Sequence, residues 1–281
     1  MPSMIDHIVI VDRDLEEMAR QAESLGFTVV PGGEHAGGMT HNALIAFADG
    51  GYIELIAFID PEKRSTHRWW PRLWKGGGLV DYALLCGDLL ADVDAIQQRG
   101  LELPEPVENG RLRPDGQRLE WRQCFPQQVV GENGLPFLIE DVTPRSLRVP
   151  HEPEQVTHRN SVTGIAGLTV LVRDFVPATG AMVDITGNEM QTLEAPIPGV
   201  EWAGRVPVGE TGQWIAIATP DMALDESFGE ASEPSRYLDR YGMGPFSAVL
   251  TTSGTSAAGL LPGHGEPIDN TLLAGARLRI A

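Results

Sequence analysis

One order of secondary-structure signals recurs along this chain, and it constrains the fold more than any single motif does. Ile5 to Val11 is β-branched and alternating; Asp14 caps a helix that runs through Ser24 and stops at Gly26; Phe27 to Val30 begins a second strand. Two more strands, Asn42 to Ala48 and Tyr52 to Phe58, are joined at Asp49-Gly50-Gly51, where glycine accepts the positive φ of a tight turn. The unit is βαβββ. It returns after about 75 residues as Val80 to Cys86, a helix over Leu90 to Arg99 ended by Gly100, then Arg118 to Phe125 and Pro136 to Val142. A third copy starts at Gly164, where "GIAGLTVLVRD" parallels "MIDHIVIVDRD" and "GQWIAIATP" parallels "GYIELIAFID"; a shorter fourth lies in residues 237–253 and 272–281. The Pro-, Glu- and His-rich stretch from Val149 to Asn160 reads as a linker. The expected division is residues 1–148, with modules at 4–60 and 80–145, a linker at 149–160, and a degenerate second half at 161–281.

Two of these strands each hold one ionisable residue among core residues: His7 in "MIDHIVIV" and Glu54 in "GYIELIAFI". Burying a polar group without a partner costs ~2–7 kcal/mol, so each needs a compensating neighbour. Alternation puts His7, Val9 and Val11 on one face of the first strand, and Tyr52, Glu54 and Ile56 on one face of the fourth.

Charge narrows the partners. The net charge of -18 over 281 residues repels phosphate backbones and anionic lipid surfaces, so nucleic acid is not an expected partner. No apolar stretch reaches the ~20 residues of a membrane helix. Cys86 and Cys124 lie outside any CxxC spacing, and no basic segment followed by an apolar stretch opens the chain, which together read as a cytoplasmic protein with reduced thiols.

In order along the chain, "DHIVI", "LGFTV", "GGEHAGGMTHNAL", "YIELIA", "GRLRPDG", "LEWR" and "LPFLIE" resemble a glyoxalase-like protein of the vicinal oxygen chelate superfamily, over residues 4–145. The resemblance implies an α+β fold in which βαβββ modules pair into open, barrel-like sheets around a concave cavity, with the first and fourth strands of a module adjacent. It implies that His7 faces Glu54, that Glu140 matches Glu54 in the second module, and that Tyr82 stands where many metal-binding relatives have a ligand. The implied cofactor is a divalent metal ion on His7, Glu54 and Glu140, with Glu140, beside Glu54, as the catalytic carboxylate.

An ion on one imidazole and two carboxylates keeps open positions for adjacent substrate oxygens, and a neighbouring carboxylate can move a proton. That chemistry suits a lyase or isomerase acting on a small oxygenated metabolite. A ring-cleaving dioxygenase needs a second His, from His41 or His67. Tyr82 in a ligand's place fits equally a metal-free cavity, in which His7 and Glu54 are a hydrogen-bonded pair of a small-molecule-binding protein.

Two stretches read as ligand-handling. Residues 63–78, "KRSTHRWWPRLWKGGG", hold five of the 21 Lys and Arg residues and three of the six Trp, as a cationic lid or as a segment burying its indoles against the barrel end. In "NGRLRPDGQRLEW", Pro114-Asp115-Gly116 signals a turn, and Arg111 and Arg113 before it flank the mouth of the second module and are expected to grip an anionic group, or else to pair with acidic neighbours such as Glu105 and Glu108. Tyr82, Trp121 and His41 are assigned with them to the ligand-binding surface; His35, in a loop, is read as an ordinary residue. In the second half Gly167 stands where His7 would be and Gln213 to Ala216 replace the segment of Glu54, so that half is expected to shape the cavity, cap the first barrel or form a homodimer contact.

Overall fold

The computed structural model describes residues 1–112, 116–126, 132, 134–193, 197–221 and 231–281. The first module runs β1 (Met4–Asp12), α1 (Leu15–Ser24), β2 (Val30–Glu34), β3 (Thr40–Ala46) and β4 (Tyr52–Phe58). A short helix, α2 (Trp70–Trp74), leads into β5 (Gly78–Leu85), α3 (Leu89–Arg99), β6 (Val107–Leu112), β7 (Arg118–Cys124) and β8 (Phe137–Asp141). Asp14 and Asp88 cap α1 and α3 by accepting from the backbone N–H groups of Glu17 and Ala91. Gly100 closes α3 at φ 112°, a left-handed turn that only glycine enters without strain. The second strand begins at Val30, where Phe27 to Val30 had been expected, because Phe27 is buried in the core beneath the helix.

These strands form one eight-stranded sheet in the order β2-β3-β4-β1-β5-β8-β7-β6. β1 is parallel to β4 and β5 to β8, while β1 and β5 run antiparallel and join the modules. The sheet curls until its edges meet: His35, just past β2, bridges Arg111 of β6, and Ala36 N–H donates to Gly110 O at 3.1 Å. The result is a nearly closed barrel. Its inner face carries a cluster containing Val9, Val11, Ile56, Phe58, Trp69, Trp70 and Phe137, so two of the three Trp of residues 63–78 plug one barrel end while Trp74 stays exposed.

Helices α4 (Arg145–Arg148) and α5 (Pro153–Val156) carry the chain across, and His158 pins this connection to the first module. Its Nδ1 accepts from Thr28 N–H at 2.9 Å and its Nε2 lies 3.0 Å from Ala46 O. There follow β9 (Val162–Leu171), α6 (Phe175–Thr186), β10 (Gln191–Thr192), β11 (Val200–Val208), β12 (Gln213–Pro220), α7 (Glu233–Tyr241), β13 (Gly244–Thr252), β14 (Glu266–Pro267) and β15 (Arg277–Ile280). They make a seven-stranded sheet, β10-β11-β12-β9-β13-β15-β14, with β9 parallel to β12 as β1 is to β4. The two sheets share one core: Ile5, Ile8 and Ile10 belong to the same cluster as Ile165, Leu168 and Val170. Gln213 stitches them by accepting from Ile5 N–H at 2.7 Å and donating to Ile165 O at 3.0 Å.

Candidate active site

β1 is irregular between Ile5 and His7, and this places Asp6 and His7 in direct contact. The Asp6 carboxylate lies 2.6 Å from His7 Nδ1. On the other side of the ring, Nε2 lies 3.4 Å from Glu54 Oε2. Tyr52, opposite His7 in the β1–β4 register, stacks on the imidazole at 4.5 Å, and Phe137 meets its edge at 5.3 Å. His7 and Glu54 thus meet, as the family resemblance implies, on the faces that strand alternation gives them.

A buried cation pair holds Asp6. Arg148 grips it through two hydrogen bonds of 2.9 and 3.0 Å, donates to Tyr52 Oη at 2.7 Å, and is anchored by Asp141 at 2.5 and 2.8 Å. Arg145 adds a further hydrogen bond to Asp6 and one to Asp141 at 3.1 Å. Burial alone would raise the pKa of Asp6, but the charge of Arg148, the hydrogen bond with His7 and the charge of Arg145 hold it well below the ordinary carboxylate range. Glu54 is treated similarly. Burial opposes its charge, yet His35, with His7 and Asn42 adding, brings it down to about 2. Its Oε1 accepts from Asn42 Nδ2 at 2.5 Å and lies 3.3 Å from His35 Nε2.

The first cavity, about 200 Å³, opens on these groups. Arg111, at the barrel seam and 7% exposed, donates to Asn42 Oδ1 at 2.8 Å, so that Asn42 links this guanidinium to Glu54. Arg68 lies against Asp81 at 3.1 Å and over the Phe125 ring at 4.3 Å. Trp69 donates to the same Asp81 oxygen at 2.7 Å. Desolvation raises the pKa of Asp81 in spite of these partners. His67 also lines the cavity; burial first, and then the charges of His35 and Arg68, lower its pKa to about 4.

The expected residues divide. His7, Glu54, Arg111 and Trp121 line the cavity together. Glu140 does not: Phe137 and Ile139 of β8 face the cavity, so the residue between and beyond them points to the helix side, where Glu140 accepts from Leu89 N–H at 3.3 Å and contacts Arg122 at 3.4 Å. Tyr82 also points away. It belongs to the core cluster beneath the helices and donates to Gly134 O at 3.1 Å, while Ala83 stands opposite His7. His41 is on the outer face of β3, since its neighbours Thr40 and Asn42 line the cavity. Arg113 lies outside the described residues. Asp6, His35, Asn42 and the Arg145 and Arg148 pair join the site without a motif of their own in the sequence. Asp6 beside His7 in "IDHIVIV" was the one local signal for them, a carboxylate inside a core strand.

A match to the family model of the glyoxalase-like domain covers residues 5–186. The chain belongs to that family. Among solved structures, this glyoxalase-like chain is similar to a hypothetical protein from Staphylococcus aureus, with a TM-score of 0.69 and 13% identity over 99% of this chain and 98% of that one. It is similar also to a variant of 4-hydroxymandelate synthase from Streptomyces coelicolor, with a TM-score of 0.60 and 12% identity over 89% and 71% of the two chains. At such identities the likeness shows the fold alone. A comparison with curated proteins finds no match.

The ligand set His7, Glu54 and Glu140 that the sequence resemblance implies for a divalent ion does not assemble, because Glu140 lies on the helix side of β8. The second module turns Ala83, Phe137 and Ile139 toward the cavity, and none of them can ligate a metal. Both Glu54 oxygens already face Asn42, His35 or His7. Among the described residues, no three His, Cys, Asp or Glu side chains form an ion-binding group.

Proposed function

We propose that this glyoxalase-like protein is an enzyme, a lyase or isomerase that moves a proton on a small, anionic, oxygenated metabolite. The observation that carries the reading is the buried row Asp6, His7, Glu54 at the wall of a cavity that also holds Arg68 and Arg111. A carboxylate brought down to about 2 is a poor proton acceptor near neutral pH, so the proton carrier in this reading is His7 at Nε2. Asp6 fixes the ring through Nδ1, and the Glu54 anion lies beside Nε2. Taking a proton from a carbon beside a carbonyl leaves an enolate, whose oxygen Arg68 or Arg111 would stabilise along with the substrate carboxylate. A cavity of about 200 Å³ suits a small ligand.

The test is solvent deuterium exchange at the carbon next to the carbonyl or hydroxyl, followed by NMR over a panel of 2-oxo and 2-hydroxy acids. Exchange or turnover with at least one compound, lost in His7→Gln, is the expected result. Saturable binding without exchange for every compound would replace the enzyme with a binding protein, a reading that the aromatic lining of Trp121, Phe125 and Phe137 also suits. Elemental analysis of protein purified without added metal is expected to find far less than one ion per chain. A stoichiometric ion lost in His7→Gln would overturn the metal-free assignment.

A further inference from the structure

A second cavity, about 170 Å³, lies where the two halves meet, between the segment before β5, helix α7 and the turn before β15. Its wall includes Arg72, Gly77, Tyr241, Asn270 and Arg277. Arg72 is 4% exposed, and of its guanidinium only Nη2 makes hydrogen bonds among the described residues, to Leu79 O at 2.9 Å and Tyr237 Oη at 2.7 Å. Its Nε is buried without a partner among those residues. The group lies over the Tyr241 ring at 4.2 Å and the Tyr237 ring at 5.2 Å.

Charge at this place does not balance. Arg240 lies over Tyr241 at 5.0 Å, and Arg277 over Tyr237 at 5.1 Å, so three guanidinium groups share two phenol rings. The one ion pair that the described residues make with any of them is Glu233 to Arg277, at 2.8 Å. Rings recover part of the cost of burying a cation, but a buried guanidinium is ordinarily paired with a carboxylate. In a chain with 39 acidic residues against 21 basic ones, leaving this position without a carboxylate is conspicuous. A planar guanidinium with free N–H groups on a small cavity has the shape that accepts a carboxylate or phosphoryl group.

We infer that the cleft between the halves binds a small oxyanion, a phosphate or a carboxylate, on Arg72. The site is separate from the His7 cavity, and its ligand would tie α2, which directly follows the cavity residues Arg68 and Trp69, to the C-terminal half.

The experiment titrates the intact protein with inorganic phosphate and, separately, with acetate and succinate, at ionic strength held constant with chloride, reading thermal midpoint and calorimetric binding. Saturable binding of at least one anion is expected, and the arm that saturates names the class. Arg72→Met should abolish it. Because that change touches the core, Asn270→Asp serves as a second variant: it is exposed at the cavity wall, leaves the packing intact and adds a negative charge, and should weaken binding at least tenfold. No saturable binding of any anion, or binding unchanged in Asn270→Asp and in folded Arg72→Met, would overturn the assignment.

Discussion

In the first sheet β1 sets His7 against Tyr52 of β4, and Glu54 follows two residues on; in the second, β9 sets Gly167 against Trp214 of β12, and Ala216 follows. The strand order around both pairs is the same. The contents are opposite. A Cβ built on Gly167 would stand 2.3 Å from the Trp214 ring, so the glycine exists to admit the indole into the space that the imidazole takes in the first sheet. Trp214 is 1% exposed and clusters with Ala166, Ala216 and Val249, all of them small or aliphatic. One architecture thus supports a polar cavity where the paired strands supply His, Tyr and Glu, and a filled core where they supply Gly, Trp and Ala. The difference lies in side-chain volume and charge at three positions.

The sharpest way to break this contrast is to compare His7→Gln with Trp214→Ala in the same assay. Removing a positioned proton carrier lowers turnover by about 10²–10⁴-fold, and His7→Gln should do so with little change in thermal midpoint. Trp214→Ala should leave kcat within a few-fold of the parent. Equal losses of turnover in both variants would show that the second sheet takes part in the chemistry.

Stability should reverse the order. Emptying a filled core of a Trp costs ~3–5 kcal/mol, and urea unfolding of Trp214→Ala should register a loss of that size, larger than for His7→Gln. A loss under ~1 kcal/mol would mean that the second sheet closes over the gap and that its interior is not specified by the indole.

The first module was legible because its signals are local. Asp14, Gly26 and the alternation of β1 and β4 fix a helix and two strand faces, and β4 runs over Tyr52–Phe58 as the sequence indicated. Glu140 and Tyr82 were misplaced by a single residue each, and a one-residue offset in a strand reverses the face. The strand register sets His7 against Tyr52 and Ala83 against Phe137, so the counterparts of His7 and Glu54 in the second module are Ala83 and Ile139, each one residue from the ionisable side chain that the sequence offers. His35 was passed over because its position depends on the closing of the barrel against Arg111, 76 positions along the chain by their numbering. The clamp on Asp6 spans 142 positions to Arg148 and leaves no periodic trace.

The smallest effect expected is a pH dependence confined to the first sheet. In the folded chain His67 is brought from an ordinary 6.5 to about 4, chiefly by burial. Between those values the unfolded chain holds a proton that the folded chain does not, so folding stability rises with pH there and is lost as pH falls from 6.5 toward 4. Glu54 acts in the same direction lower down: its contribution is complete above 4.5 and fades toward about 2. His67 is half-buried, which leaves its share on the order of 1 kcal/mol after solvent screening. Hydrogen exchange, corrected for intrinsic rates, should therefore lose protection in β1, β4 and β5 between pH 6.5 and 4.5 while β9 and β12 hold theirs. His67→Phe keeps the ring contacts with Phe58 and Trp69 and removes the titration, so its protection should stay level through that interval. Loss of protection in both sheets together, or a slope unchanged in His67→Phe, would place the acid-sensitive group in the core that the two sheets share.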